Sequence, residues 1–189
     1  LHGCEPGKTI QVVRSLLASD DLWAKASGIW CLGEMRTPET MLMLTQVLAD
    51  NDEENRARAI RALDKWSGVE PTPALLDLLG HNHVPTRARV ARALGKFSGD
   101  GLATALANRL AAEKEPTVRS ALIFAINSQP AASLEPIRRA LQDKDPRVVA
   151  DAVEALGETS DMQVINELRP LISHQNNRVR ANACVALWS

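Results

Sequence analysis

Cysteine is scarce in this 189-residue chain, and the three present, Cys4, Cys31 and Cys184, share no C-x-x-C spacing. An odd, scattered set argues against a disulfide framework and against a zinc site. Cys31 and Cys184 are therefore expected as small core residues in a reducing compartment, with a cytoplasmic location. Long apolar runs are also missing: no stretch approaches the roughly 18 residues needed to cross a bilayer, and no basic-then-apolar leader opens the chain. No membrane insertion is expected of this segment. Neither sign of charge dominates, because 22 Lys and Arg meet 23 Asp and Glu for a net −1. No global field draws in nucleic acid or an anionic membrane, so any electrostatic role falls to a local patch. The chain lacks an initiating Met and stops at VALWS, as expected of a fragment of a longer protein.

The opening LHGCEPGKTI sets Gly3, Gly7, Lys8 and Thr9 almost as a phosphate-binding loop does. That loop needs four residues between its glycines, so that successive amides wrap the phosphates, and a buried strand before it. Three residues separate Gly3 from Gly7, and only Leu1 and His2 precede them. The expectation is a loop and cap with a helix starting near Thr9.

Apolar residues make up 45% of the chain, enough for a core, and they recur at an offset of 31. Leu17, Leu48, Leu79, Leu110, Leu141 and Ile172 form one column; Val13, Leu44, Leu75, Leu106, Ile137 and Leu168 form another four residues upstream. Four residues apart is one helical face. A second set follows in steps of three: Ala26, Ala57, Ala88, Ser120, Ala150, Ala181, then Ile29, Ile60, Ala91, Ile123, Val153, Cys184, then Leu32, Leu63, Leu94, Ile126, Leu156, Leu187. Each unit is thus two antiparallel helices, A then B, and the units run roughly 8–35, 38–66, 71–97, 101–128, 133–159 and 161–189. Unit four has one extra residue between its helices, within AAEKEPTVRS, and the next connection loses one. Thr37-Pro38 and Thr72-Pro73 set a capping hydroxyl before a proline at the first turn of helix A. Gly33, Gly95 and Gly157 share a column near the end of helix B, where three explanations stand: a left-handed cap, a close helix approach, or simple tolerance.

A unit of this size cannot bury its apolar stripe alone and must stack on neighbours. The segments DPRVVADAVEALGE at 145–158, VPTRARVARALGK at 84–96 and NNRVRANACVALW at 176–188 resemble HEAT repeats of the short type named after phycobilisome lyases. The resemblance covers all six units and implies an all-α, right-handed α-solenoid forming a single domain over 1–189. In that family a basic residue near the start of helix B pairs with an acid of the neighbouring repeat. The matching column here is Lys25, Arg56, Arg87, Arg119, Val149 and Arg180, broken at Val149, and the acid column six positions earlier is Ser19, Asp50, His81, Glu113, Asp143 and His174. A further column, Asp21, Asp52, His83, Glu115, Asp145 and Asn176, is placed to cap helix B. His81 and His83 fall in these columns, so they read as substituted ladder and cap positions, and no metal is expected.

The resemblance also implies that the B helices line a concave surface, so variable B positions are the ones to search for function. One such column is Ser27, Arg58, Arg89, Ala121, Asp151, Asn182; the other, three residues on, is Trp30, Arg61, Arg92, Phe124, Glu154, Val185. Arg58, Arg61, Arg89 and Arg92 make a basic cluster flanked by Trp30 and Phe124, with Asp151 and Glu154 beyond. Arginine with aromatics is the composition of interface hot spots, and Trp30 is expected exposed while Trp23 and Trp66 fill gaps at unit edges. A solvated helix face is the other reading of the same arginines. The expectation is a protein-interaction scaffold that holds an acidic or amphipathic segment and needs no cofactor. Nucleic acid is the alternative through the same groups, and a phycobilin-lyase-like or substrate-chaperone subunit is a third. Enzymatic relatives find little support. None of the four His is followed by Glu, as the iron site of deoxyhypusine hydroxylase requires, and the acids lie beyond the arginines rather than among them, as a DNA glycosylase would not have them.

Overall fold

A computed structural model of the chain describes residues 6–49, 52–130, 132–157, 159 and 161–188. Cys4, Gly3 and the ladder acid Asp50 lie outside them. Twelve α-helices and no strands make up the described residues, paired as six hairpins: α1 (Pro6–Ala18) with α2 (Leu22–Met35), α3 (Pro38–Leu48) with α4 (Glu53–Leu63), α5 (Pro73–Asp77) with α6 (Val84–Leu94), α7 (Leu102–Ala112) with α8 (Pro116–Asn127), α9 (Glu135–Ala140) with α10 (Pro146–Leu156) and α11 (Met162–Leu168) with α12 (Asn177–Trp188). Short 3-10 turns extend three of them, at Asp64–Trp66, Leu78–Gly80 and Arg169–Ser173. The first helix starts by Pro6 rather than near Thr9, because proline in a first turn lacks only a donor that would be unpaired there. Gly7, Lys8 and Thr9 are consequently helical and form no phosphate loop.

Local chemistry explains the boundaries. Thr37 Oγ1 accepts from the Thr40 amide at 3.3 Å while the Thr40 hydroxyl accepts from the Thr37 amide at 2.9 Å, a reciprocal cap ahead of Pro38. Thr72 caps α5 through the Leu75 amide at 3.4 Å. Among the B helices, Asp21, Asp52, Asp145 and Asn176 accept from first-turn amides at 2.8–3.0 Å, whereas His83 and Glu115 make no side-chain cap. The preceding ladder column ties the turn between helices. Ser19, His81, Glu113, Asp143 and His174 each accept from the amide two residues on, at 2.8–3.1 Å. A His ring nitrogen thus does the work of a carboxylate oxygen at positions 81 and 174. No cluster of three or more His, Cys, Asp or Glu able to hold a metal occurs among the described residues.

The core runs through all six hairpins. Val13, Leu44, Leu75, Leu106, Ile137 and Leu168 are all buried on the A side, and Leu32, Leu63, Leu94, Ile126 and Leu156 on the B side. Two more B-helix columns are nearly continuous in the core: Ala24, Asn55, Thr86, Val118, Val148, Val179 and Gly28, Ala59, Val90, Leu122, Ala152, Ala183. The first mixes apolar with polar residues, which hid it. Asn55 stays satisfied by Arg58 at 3.2 Å and Thr86 by the His83 ring at 2.9 Å. At the last unit the columns come to the surface: Ile172, Ala181 and Cys184 are exposed, against the expectation of a core Cys184. Cys31 is half-buried against the core.

The three column glycines resolve in favour of close approach. A Cβ on Gly33 would stand 3.0 Å from Ala62 Cβ, one on Gly95 3.2 Å from Ala125 Cα, and one on Gly157 2.6 Å from Ala186 Cβ, each on the next B helix. Gly95 and Gly157 have right-handed backbone, so neither is a left-handed cap. Each B helix packs on the next, from α2 on α4 through α10 on α12, while A helices meet substantially only at α3 with α5 and α7 with α9. The gaps open on the A side, as a cleft of about 640 Å³ between α7 and α9 and one of about 520 Å³ between α9 and the Arg169–Ser173 turn. Rods that touch on one side and gape on the other curve toward the touching side, which makes the B surface the inner one. No described helix is long and apolar enough to cross a membrane.

Candidate functional site

The inner surface is a grid of three positions per B helix at i, i+4 and i+7. The last row, Trp30, Arg61, Arg92, Phe124, Glu154 and Val185, is exposed throughout, with Trp30 59% and Phe124 49% accessible. The middle row is half-buried at Arg58, Arg89, Asp151 and Asn182, and Ala121 is buried outright, a short side chain overtopped by its neighbours rather than a surface position. A first row, one turn earlier, was not recognised in the sequence: Trp23, Glu54, Pro85, Thr117, Arg147 and Arg178. Stepping back four residues from the middle row would have found it. Trp23 belongs here, 82% accessible, and fills no gap; its place in the first turn of α2 faces the groove. Trp66, by contrast, is buried, at the end of unit two.

Two aromatics each carry a cation from an adjacent unit. The Lys65 ammonium lies 5.6 Å from the centre of the Trp30 ring, and the Arg92 guanidinium 5.6 Å from that of Phe124. At exposed sites such contacts are worth about 0.5–1 kcal/mol each, enough to orient the rings without burying them. The four central arginines are partly compensated by acids at the start of α4, which column comparison missed. Glu54 Oε1 lies 3.4 Å from Arg58 and 3.5 Å from Arg61, and Glu53 Oε1 lies 3.3 Å from Arg89. Four guanidinium groups thus meet two carboxylates. Arg92 makes no ion pair among the described residues, and Arg89 Nη1 is buried without a partner.

Of the column Lys25, Arg56, Arg87, Arg119 and Arg180, Arg87 and Arg119 lie at the junctions between units, while Arg180 bonds within its own unit. Arg87 donates to both oxygens of Glu113 in the next unit at 2.9 and 3.0 Å, and to the His81 and Asn82 carbonyls of its own unit at 2.8 and 3.2 Å. Arg119 repeats the pattern with Asp143 at 2.7 and 2.8 Å. Arg180 reaches the His174 and Gln175 carbonyls at 2.9 and 3.1 Å and turns its remaining nitrogen to Asn177. Val149 is simply packed in the core. Glu113 also accepts from Arg109 and from the Lys114 and Glu115 amides at 2.9 and 3.0 Å. Burial alone would raise its pKa; these donors outweigh burial and hold it at about 2, against an ordinary 4.5. Hydrogen bonds from the Arg147 side chain likewise bring Asp145 to about 2. On the outer side Arg138 of α9 grips Glu167 of α11, which lowers the Glu167 pKa.

Stacked antiparallel hairpins with a shared core, joined by buried ion pairs and presenting their second helices inward, define an α-solenoid. The HEAT repeats profile matches residues 41–127 and 105–188, and the chain belongs to that family. Its fold is similar to a designed armadillo repeat protein, YIII(Dq.V1)4CPAF, in complex with the peptide (KR)4: TM-score 0.58, 18% identity, 94% of this chain and 97% of that one covered. It is also similar to the complex of CpcE and CpcF of phycocyanin lyase from Nostoc sp. PCC7120 (TM-score 0.59, 20% identity, 97% and 76% covered). A third likeness is to human deoxyhypusine hydroxylase in complex with glycerol (TM-score 0.51, 20% identity, 97% and 84% covered). At these identities the likeness concerns the fold alone. No curated protein matches the sequence.

Proposed function

We propose that the chain is a protein-interaction scaffold that holds an acidic or amphipathic segment on its inner face, through Arg58, Arg61, Arg89 and Arg92 framed by Trp30 and Phe124. The exposed row carries the reading. Trp30 and Phe124 stay about half exposed on the side of their helices away from the core, and large exposed aromatics beside arginine are favoured where a partner supplies the missing burial. The excess of guanidinium groups over carboxylates in units two and three leaves donors for a partner's acids. A designed armadillo protein of similar fold is in complex with a basic peptide; the arginines of this inner face call for an acidic one.

The test is fluorescence anisotropy of a labelled eight-residue peptide alternating Glu and Leu. Arg61→Glu with Arg92→Glu abolishes binding while the melting temperature stays put, because both side chains are exposed. Unchanged binding by the double variant refutes the reading. A single-stranded oligonucleotide measured in parallel separates it from nucleic-acid binding, whose affinity would fall by orders of magnitude between about 50 and 200 mM salt.

A further inference from the structure

The groove changes character at unit four. Units two and three put arginine in its middle row, but α8 carries Ala121 there, with Thr117 in the first row and Ser120 beside it, and these short side chains leave a trough between taller walls. Two adjoining depressions follow from it. One, of about 350 Å³, is bounded by Arg89 and Arg92 of α6 on one side and by Arg147, Asp151 and Arg178 on the other. The second, of about 380 Å³, runs on toward Phe124 and Glu154. Arg92, Ser120, Asp151 and Arg178 border both. Guanidinium groups from α6, α10 and α12 therefore converge from opposite walls on a floor of hydroxyls and methyl groups.

The chain fills part of this convergence with its own acids. Asp151 Oδ1 accepts from Arg178 Nη2 at 2.5 Å, Glu154 Oε2 lies 3.7 Å from the same nitrogen, and Arg147 is held by Asp145 at 2.8 Å. Asn182 steadies Glu154 at 3.3 Å. On the facing wall Arg92 lies over the Phe124 ring with no ion pair among the described residues, and Arg89 Nη1 is buried without a hydrogen-bond partner among them.

We propose that the trough over α8 is the anion seat of the binding surface, taking an Asp or Glu side chain of a partner polypeptide, and that Asp151 is an internal stand-in for that side chain, displaced from Arg178 when the partner arrives. The inference rests on the reading of the inner face given above and narrows it to units three to six. Charge decides the ligand class. One incoming carboxylate replaces Asp151 like for like and gains the donors of Arg92, which has no ion pair among the described residues, whereas a run of phosphates would meet Asp151 and Glu154 at every step. Phe124, at the end of the trough, offers an apolar contact to the next residue of the segment. The Asp151–Arg178 pair is well placed for exchange: Arg178 is more than half exposed, and ion pairs with that much water contact are weak.

The experiment titrates the labelled Glu-Leu peptide into the wild type, Asp151→Asn, Arg178→Ala and both together, with Arg139→Ala on the outer face as control. Asp151→Asn, which removes the competitor and leaves Arg178 charged, tightens binding about three- to fivefold. Arg178→Ala weakens it and also abolishes the gain from Asp151→Asn; Arg139→Ala changes nothing. A gain in affinity cannot arise from misfolding. Equal or weaker binding by Asp151→Asn, or indifference to Arg178→Ala, overturns the anion seat. If these variants are silent while Arg61→Glu with Arg92→Glu still abolishes binding, the surface reading survives without the seat. A wild type that does not bind the peptide at millimolar protein removes both.

Discussion

Replacing Glu113 by Gln tests whether the stack is held at its middle by a buried ionic junction. The carboxylate is 2% exposed and gathers Arg87 from unit three, Arg109 from its own helix and two backbone amides. Gln supplies one acceptor oxygen where two stood and turns an NH2 toward the donors, so at least one guanidinium is left without an acceptor in a buried place. Breaking one partner of such a pair costs about 3–5 kcal/mol. The pH dependence carries a separate signature. The folded pKa of Glu113, about 2, lies below its unfolded 4.5, so the stabilisation is complete above 4.5 and disappears as pH falls toward 2. At about 1.36 kcal/mol per pKa unit the shift from 4.5 to about 2 amounts to about 3–4 kcal/mol at most, and water screening at Arg109 reduces that to about 2. Urea unfolding followed by circular dichroism, at pH 6 and at pH 3, measures both. Glu113→Gln is expected to lose about 3–5 kcal/mol at pH 6 and to be about 2 kcal/mol less sensitive to acid than the wild type. A loss under about 1 kcal/mol, or an unchanged acid sensitivity, would show that the junction contributes shape and no stability.

Gly157→Ala sets a Cβ 2.6 Å from Ala186 Cβ and should lower stability by about 1–3 kcal/mol through overpacking. Gly7→Ala, on an open part of α1, should instead raise it by up to about 1 kcal/mol; calorimetry on the pair distinguishes a contact effect from a general glycine effect. Leu44→Ala, at a site with no exposure, should cost about 2–5 kcal/mol by the same assay, and a smaller loss would mean that units two and three collapse around the cavity. Thr37→Ala removes a reciprocal cap and should cost about 1 kcal/mol.

Much of the architecture was legible because a solenoid repeats its contacts. Leu44, Leu75, Leu106 and Ile137 occupy equivalent places in successive hairpins, so each confirms the others at an offset of 31. Where residues deviate from their column, the reading failed. The column of Asn55, Thr86 and Val118 mixes polarity and went unseen, although each of these residues is buried. Trp23 read as filler because its row had not been recognised. Cys184 read as core because its column is buried or half-buried in the five earlier units, and the exposure of one position depends on what packs against it, which the column does not record. The charges of the inner face were half visible: Arg58 and Arg61 stood out, but Glu54, which lies close to both, sits in the row that went unrecognised.

The amino-acid order alone determined the all-helical class, the six hairpins and the seams between them, because helical periodicity and capping act within a few residues of each other in the chain. Only the tertiary structure decided which arginines keep free donors, how closely the next B helix approaches Gly33, Gly95 and Gly157, and that Arg92 and Arg178 meet across one trough. Those outcomes depend on distances between side chains some 30 to 90 positions apart in sequence. Such distances are set by how closely one hairpin seats on the next, which no single hairpin specifies.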